Sequence, residues 1–72
     1  MRNYLKSIRN EKKMTQQDVA DKLNISHSYY SMIEKGERKQ EMSISMLCKL
    51  SEVFDVSVSE LIEAERNFSA AG

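Results

Sequence analysis

The chain lacks proline and tryptophan, has one cysteine and two glycines, and carries no net charge over its 72 residues. With proline absent and Leu, Lys, Glu, Met and Ser frequent, nothing favours strands, and helices are free to run until a cap stops them. A single cysteine, Cys48, excludes an internal disulfide, and no Cys or His cluster surrounds it to hold a metal. It is expected to be a buried core thiol. No apolar stretch approaches the roughly 18 to 20 residues of a membrane span, and the charged N-terminus has no signal-peptide core, so the chain reads as cytoplasmic. A Gly-rich phosphate loop and a nucleophile–base pair are also missing. Neither an enzyme activity nor a cofactor is expected.

What is present is apolar spacing of three or four throughout, the period of amphipathic helices. Tyr4, Leu5 and Ile8 mark a first helix over residues 2–12, with Met14 as a core plug behind it. Over 43–54 the stripe of Ile44, Leu47, Cys48, Leu50, Val53 and Phe54 is wide enough for a central core helix. Ser57 and Glu60 then make a capping box for a fifth helix that turns Val58, Leu61 and Ile62 inward. Residues 1–66 thus read as one domain. Residues 67–72 are small and polar except for Phe68 and read as a flexible tail, with Phe68 a candidate dimer contact.

The stretch 15–36, TQQDVADKLNISHSYYSMIEKG, is the most informative. Thr15 is a good N-cap and Asp18 adds charge to the first turn, so a second helix begins at Gln16 and buries Val19, Ala20 and Leu23. Asn24 tolerates the left-handed backbone of a sharp exit. Ile25 plugs the turn, Ser26 caps a third helix, and Tyr30, Ile33 and Glu34 form its inward stripe, leaving His27, Ser28, Ser31 and Met32 outside. Gly36 stands where a C-terminal glycine ends a helix. Two short helices meeting at a tight turn make a helix-turn-helix.

Zero net charge argues against a nucleic-acid partner until its distribution is considered. Residues 1–40 hold nine Lys or Arg against five Asp or Glu, whereas 41–72 hold two against six. The first half can face phosphates while the acidic half is kept away from them.

From Leu5 through Ile62 the sequence resembles the lambda repressor and Cro family, also called the xenobiotic-response-element family, of helix-turn-helix regulators. The resemblance rests on Arg9, Thr15-Gln16, Val19-Ala20, Leu23, Ile25-Ser26, Ile33-Glu34 with Gly36, Leu47, Leu50, Phe54 to Ser57, and Glu60-Leu61. It departs at Asn24, where the family usually has glycine, in the lack of a proline after Gly36, and in a loop over 37–42 about two residues longer than the family pattern. The resemblance implies an all-α, five-helix lambda-repressor-like domain that binds double-stranded DNA as a transcriptional regulator. A repressor acting as a homodimer on a palindromic operator is the implied form. It gives Gln16 a phosphate contact, and it places His27, Ser28 and Met32, with Ser31 as a weaker candidate, in the major groove. Tyr29 is a candidate phosphate contact through its hydroxyl, and so are Lys35, Arg38 and Lys39. Arg9 and Glu34 are implied to form a partly buried ion pair. An alternative is a protein-interaction module, such as an antitoxin or a regulator's partner, using the same fold.

Overall fold

The computed structural model describes residues 1–36 and 42–71, with side chains as far as Phe68. Its five helices are Asn3–Glu11 (α1), Gln16–Leu23 (α2), His27–Lys35 (α3), Ile44–Phe54 (α4) and Val58–Ala71 (α5), and no strand occurs among the described residues.

Caps set the boundaries. Thr15 accepts from the Asp18 backbone N–H at 3.1 Å while the Thr15 N–H donates to the Asp18 carboxylate at 2.8 Å, closing the capping box at α2. That pair of bonds, the backbone one foremost, holds the Asp18 carboxyl below its usual range. Ser26, Ser43 and Ser57 accept the corresponding N–H at the starts of α3, α4 and α5. Exits are left-handed at Asn24 (φ 59°), Gly36 (φ 69°) and Asp55 (φ 56°), and the turn after α1 uses Lys13 at φ 57°. The Asn24 and Gly36 exits are the ones their residue types foretell.

The core joins Leu5 of α1, Val19, Ala20 and Leu23 of α2, Tyr30 and Ile33 of α3, Leu47, Leu50 and Phe54 of α4, and Leu61 of α5. Fully buried leucines such as Leu5, Leu50 and Leu61 each contribute about 1.5 to 3 kcal/mol. Met14 and Ile25 pack against this core at the two turns that flank α2.

Three expectations need correction. Cys48 is exposed rather than a core thiol, and Ile44 is 65% exposed. Both lie roughly a quarter-turn or more around α4 from the Leu47, Leu50 and Phe54 face that meets the core, so the apolar stripe is wider than the surface it has to cover. The third concerns the C-terminal segment: α5 continues through Ala71, and Phe68 is engaged within its own chain. Its ring lies 4.7 Å from the Arg2 guanidinium carbon.

Arg2 is the anchor of that end of the molecule. Only 3% exposed, it donates from Nε and Nη2 to the Glu65 carboxylate at 2.9 and 3.1 Å and from Nη1 to the Ile33 carbonyl at 2.6 Å. Its backbone N–H donates to the Glu34 carbonyl at 2.8 Å. The Glu34 carbonyl, in the last turn of α3, is satisfied by the Arg2 N–H, while the Ile33 carbonyl already accepts the Gly36 N–H at 3.1 Å and takes the guanidinium as a second donor. Tyr4 adds a hydroxyl bond to Glu65 at 2.7 Å. The N-terminus, α3 and α5 are thereby tied at one point.

Candidate nucleic-acid interface

Residues α2 and α3 cross at the Asn24 turn, which fixes what α3 shows to solvent. Its inward side is Tyr30, Ile33 and Glu34, all buried. On the opposite side Ser28, Met32 and Lys35 share the centre of the outward face at spacings of three and four, and all are exposed, Met32 by 39%. Ser31 stands on one shoulder, half-buried, and Tyr29 on the other, 42% exposed. His27 opens the helix on the side nearest α2.

Beneath this face lies a charged pair. Arg9 of α1 reaches Glu34 with two prongs, Nε to Oε2 at 2.8 Å and Nη2 to Oε1 at 3.1 Å, and its Nη1 donates to the Met14 carbonyl at 3.1 Å. The Glu34 side chain is 1% exposed and that of Arg9 12%. Burial alone would raise the Glu34 carboxyl, but the donors around it outweigh burial and hold it below its ordinary range. Conversely, the bond to Glu34 pushes the Arg9 guanidinium further up. The buried Tyr30 hydroxyl faces the same carboxylate without a hydrogen bond of proper geometry among the described residues, so it acts there as a nearby dipole.

The structure brings Gln16 and His27 together on top of this pair. Gln16 Nε2 donates to Glu34 Oε1 at 3.2 Å, and Gln16 Oε1 meets His27 Nε2 at 3.0 Å. A continuous line therefore runs from Arg9 through Glu34 and Gln16 to the exposed ring of His27. Gln16 keeps one N–H at the first turn of α2, where a phosphate would be favoured. Arg38 and Lys39 lie outside the described residues.

Two things were not foreseen from the sequence. The Gln16 link spans two helices, and its only signal was the polar residue at each helix start. Arg2 gave no signal, because its partner Glu65 is 63 positions away.

A helix-turn-helix family model matches residues 5–61 of this chain. The chain belongs to the lambda-repressor/Cro-like helix-turn-helix family. Over 63 residues it is 41% identical to the uncharacterized HTH-type transcriptional regulator YqaE of Bacillus subtilis (strain 168), covering 88% of this chain and 53% of that protein. A second Bacillus subtilis regulator of this type, YqaF, is 47% identical over 45 residues, which is 62% of this chain and 59% of YqaF. The HTH-type regulator MJ0272 of Methanocaldococcus jannaschii is 34% identical over 61 residues, 85% of this chain and 89% of that protein. The chain spans about half the length of YqaE. No solved structure matches it. Placing the helix-turn-helix at α2 and α3 within five helices agrees with the family's fold. Among the described residues, no helix is long and apolar enough to cross a membrane.

Proposed function

We propose that this domain regulates transcription by seating α3 in the major groove of double-stranded DNA, as a homodimeric repressor on a roughly palindromic operator. The observation that carries this reading is the outward face of α3. Ser28 and Met32 are presented free of the core on a rigid helix, while Gln16 and Lys35 flank them as donors for phosphates. Ser28 can donate to or accept from a base edge, and Met32 can pack on a thymine methyl. Bidentate readers are few on this face, so DNA shape carries part of the specificity. Pairing of two copies is supported by the small size of the domain and by the half-buried apolar residues Val58 and Ile62 on α5. Two copies facing opposite ways would make the preferred site a palindrome. The similarity to HTH-type regulators favours DNA over a protein partner as the ligand of this face.

Selection of bound sites from random duplex DNA tests the reading directly. A recurrent motif with inverted symmetry, altered by Met32→Gln or Ser28→Ala, is the expected result. Retention of no duplex at low salt, or a motif that neither substitution changes, would remove α3 as a base reader.

A further inference from the structure

Gln16 joins two groups of fixed character. On one side is the Glu34 carboxylate, which Arg9 keeps ionised and which can only accept hydrogen bonds. The Gln16 atom facing it must therefore be the amide nitrogen, as the 3.2 Å contact from Nε2 to Glu34 Oε1 has it. The amide oxygen is then the atom turned toward His27 Nε2, at 3.0 Å. An amide oxygen can only accept, so the imidazole nitrogen opposite it must carry the proton.

We infer that the buried Arg9–Glu34 pair, acting through Gln16, fixes neutral His27 as its Nε2–H tautomer and leaves Nδ1 as a hydrogen-bond acceptor at the start of the recognition helix. This rests on the reading in which α3 faces base edges. Glu34 and Gln16 are then positioning residues, and His27 determines specificity. The direction of donation is fixed at every link and converges on the carboxylate: guanidinium and amide both donate to it, and the imidazole donates to the amide oxygen. Reversing it would set two acceptors or two donors against each other.

The consequence for recognition is specific. In the major groove adenine N6 and cytosine N4 are donors, whereas guanine N7 and O6 and thymine O4 are acceptors. A lone-pair Nδ1 prefers the amino bases, adenine and cytosine, on the strand it faces and is repelled by the keto bases. An imidazole of the other tautomer would do the opposite.

Two measurements test this separately. In the free protein at about pH 8, where an ordinary imidazole is neutral, long-range nitrogen–proton correlation spectra report which ring nitrogen is protonated. The expected spectrum has Nε2 protonated with no detectable Nδ1–H form, while the urea-unfolded chain and Gln16→Met both show a mixture. A folded wild-type ring with the same mixture as the unfolded chain, or with Nδ1 protonated, overturns the inference even if Gln16→Met fails to fold. In the DNA arm, site selection at the same pH should show one position per half-site favouring adenine and cytosine over guanine and thymine by about tenfold, a preference lost in His27→Ala. A keto-base preference that His27→Ala abolishes overturns the base choice. Absence of any sequence preference overturns the DNA reading of α3 itself, while the spectrum still decides the tautomer.

Discussion

The ring of Phe68 lies against Gly36, so close that a Cβ built on the glycine would stand 2.6 Å from the ring's Cζ. Gly36 also has φ 69°, which side-chain-bearing residues adopt at a cost of about 1 to 3 kcal/mol. One glycine thus serves two purposes: it ends α3 and admits the end of α5. Gly36→Ala is expected to destabilise the domain by more than the backbone cost alone. In Gly36→Ala/Phe68→Ala the steric part of that penalty should vanish and the backbone part remain. A thermal-denaturation cycle measures the difference, and strictly additive effects would show that the ring yields without cost.

Arg9 and Glu34 should behave as a coupled unit. With the carboxylate 1% exposed, removing either partner leaves the other charge uncompensated, at a cost of about 3 to 5 kcal/mol. Arg9→Met/Glu34→Leu removes both charges and should be more stable than the sum of the single losses predicts. Urea titrations of the four proteins check this. Zero coupling would mean that Gln16 and the Met14 carbonyl, rather than the pair itself, hold these side chains in place.

How far the sequence speaks for the fold depends on how local each determinant is. Thr15 with Asp18, Asn24, Ser26 and Gly36 act within a turn of themselves, and all four features are where their residue types place them. Stripe width on α4 is different, because how much of it is covered depends on where α2 and α5 approach, and Ile44 and Cys48 fell on the uncovered side. Phe68 reads as part of a tail in the sequence because its partner Gly36 is remote along the chain. On α3 the outward positions of Ser28 and Met32 follow from helical period alone, whereas His27, seven residues before Glu34, shares that residue's side and is exposed where it opens the helix. The hydrogen bonds that tie His27 to Gln16 and Glu34 need the angle between α2 and α3, which no local pattern contains.

Stability should fall at both ends of the pH range for different reasons. The folded-state value of Glu34 is depressed, so its contribution is present above its ordinary value of 4.5 and is lost as pH falls below it. Tyr4 and Tyr30 are raised above their ordinary value of 10.0, chiefly by burial and further by Glu65 and Glu34 respectively. Their contribution is present below about 10 and declines as pH rises, because the unfolded chain ionises first. Urea midpoints across pH should therefore drop above about pH 10, and Tyr30→Phe should drop less steeply. Parallel alkaline slopes for wild type and Tyr30→Phe would show that Tyr30 ionises as readily in the folded state as in the unfolded.

Lys35 separates positioning from reading. It is exposed in the last turn of α3, beside Met32 on the outward face. A phosphate contact from this ammonium is blind to sequence and releases one counterion, so Lys35→Ala should weaken binding to all duplexes alike. The slope of log affinity against log salt should become shallower by about 0.9 for each copy of the side chain bound. Met32→Gln should leave that slope unchanged while reordering the preferred sites, because a thioether neutralises no phosphate and an amide can pair with adenine. Each mispaired position should then shift affinity by about 1 to 3 kcal/mol. Titrations of labelled duplexes at several salt concentrations distinguish the two outcomes. If Lys35→Ala changes the ranking of sites and not the salt slope, the lysine reaches a base edge, and α3 enters the groove over its whole length rather than by its first turns.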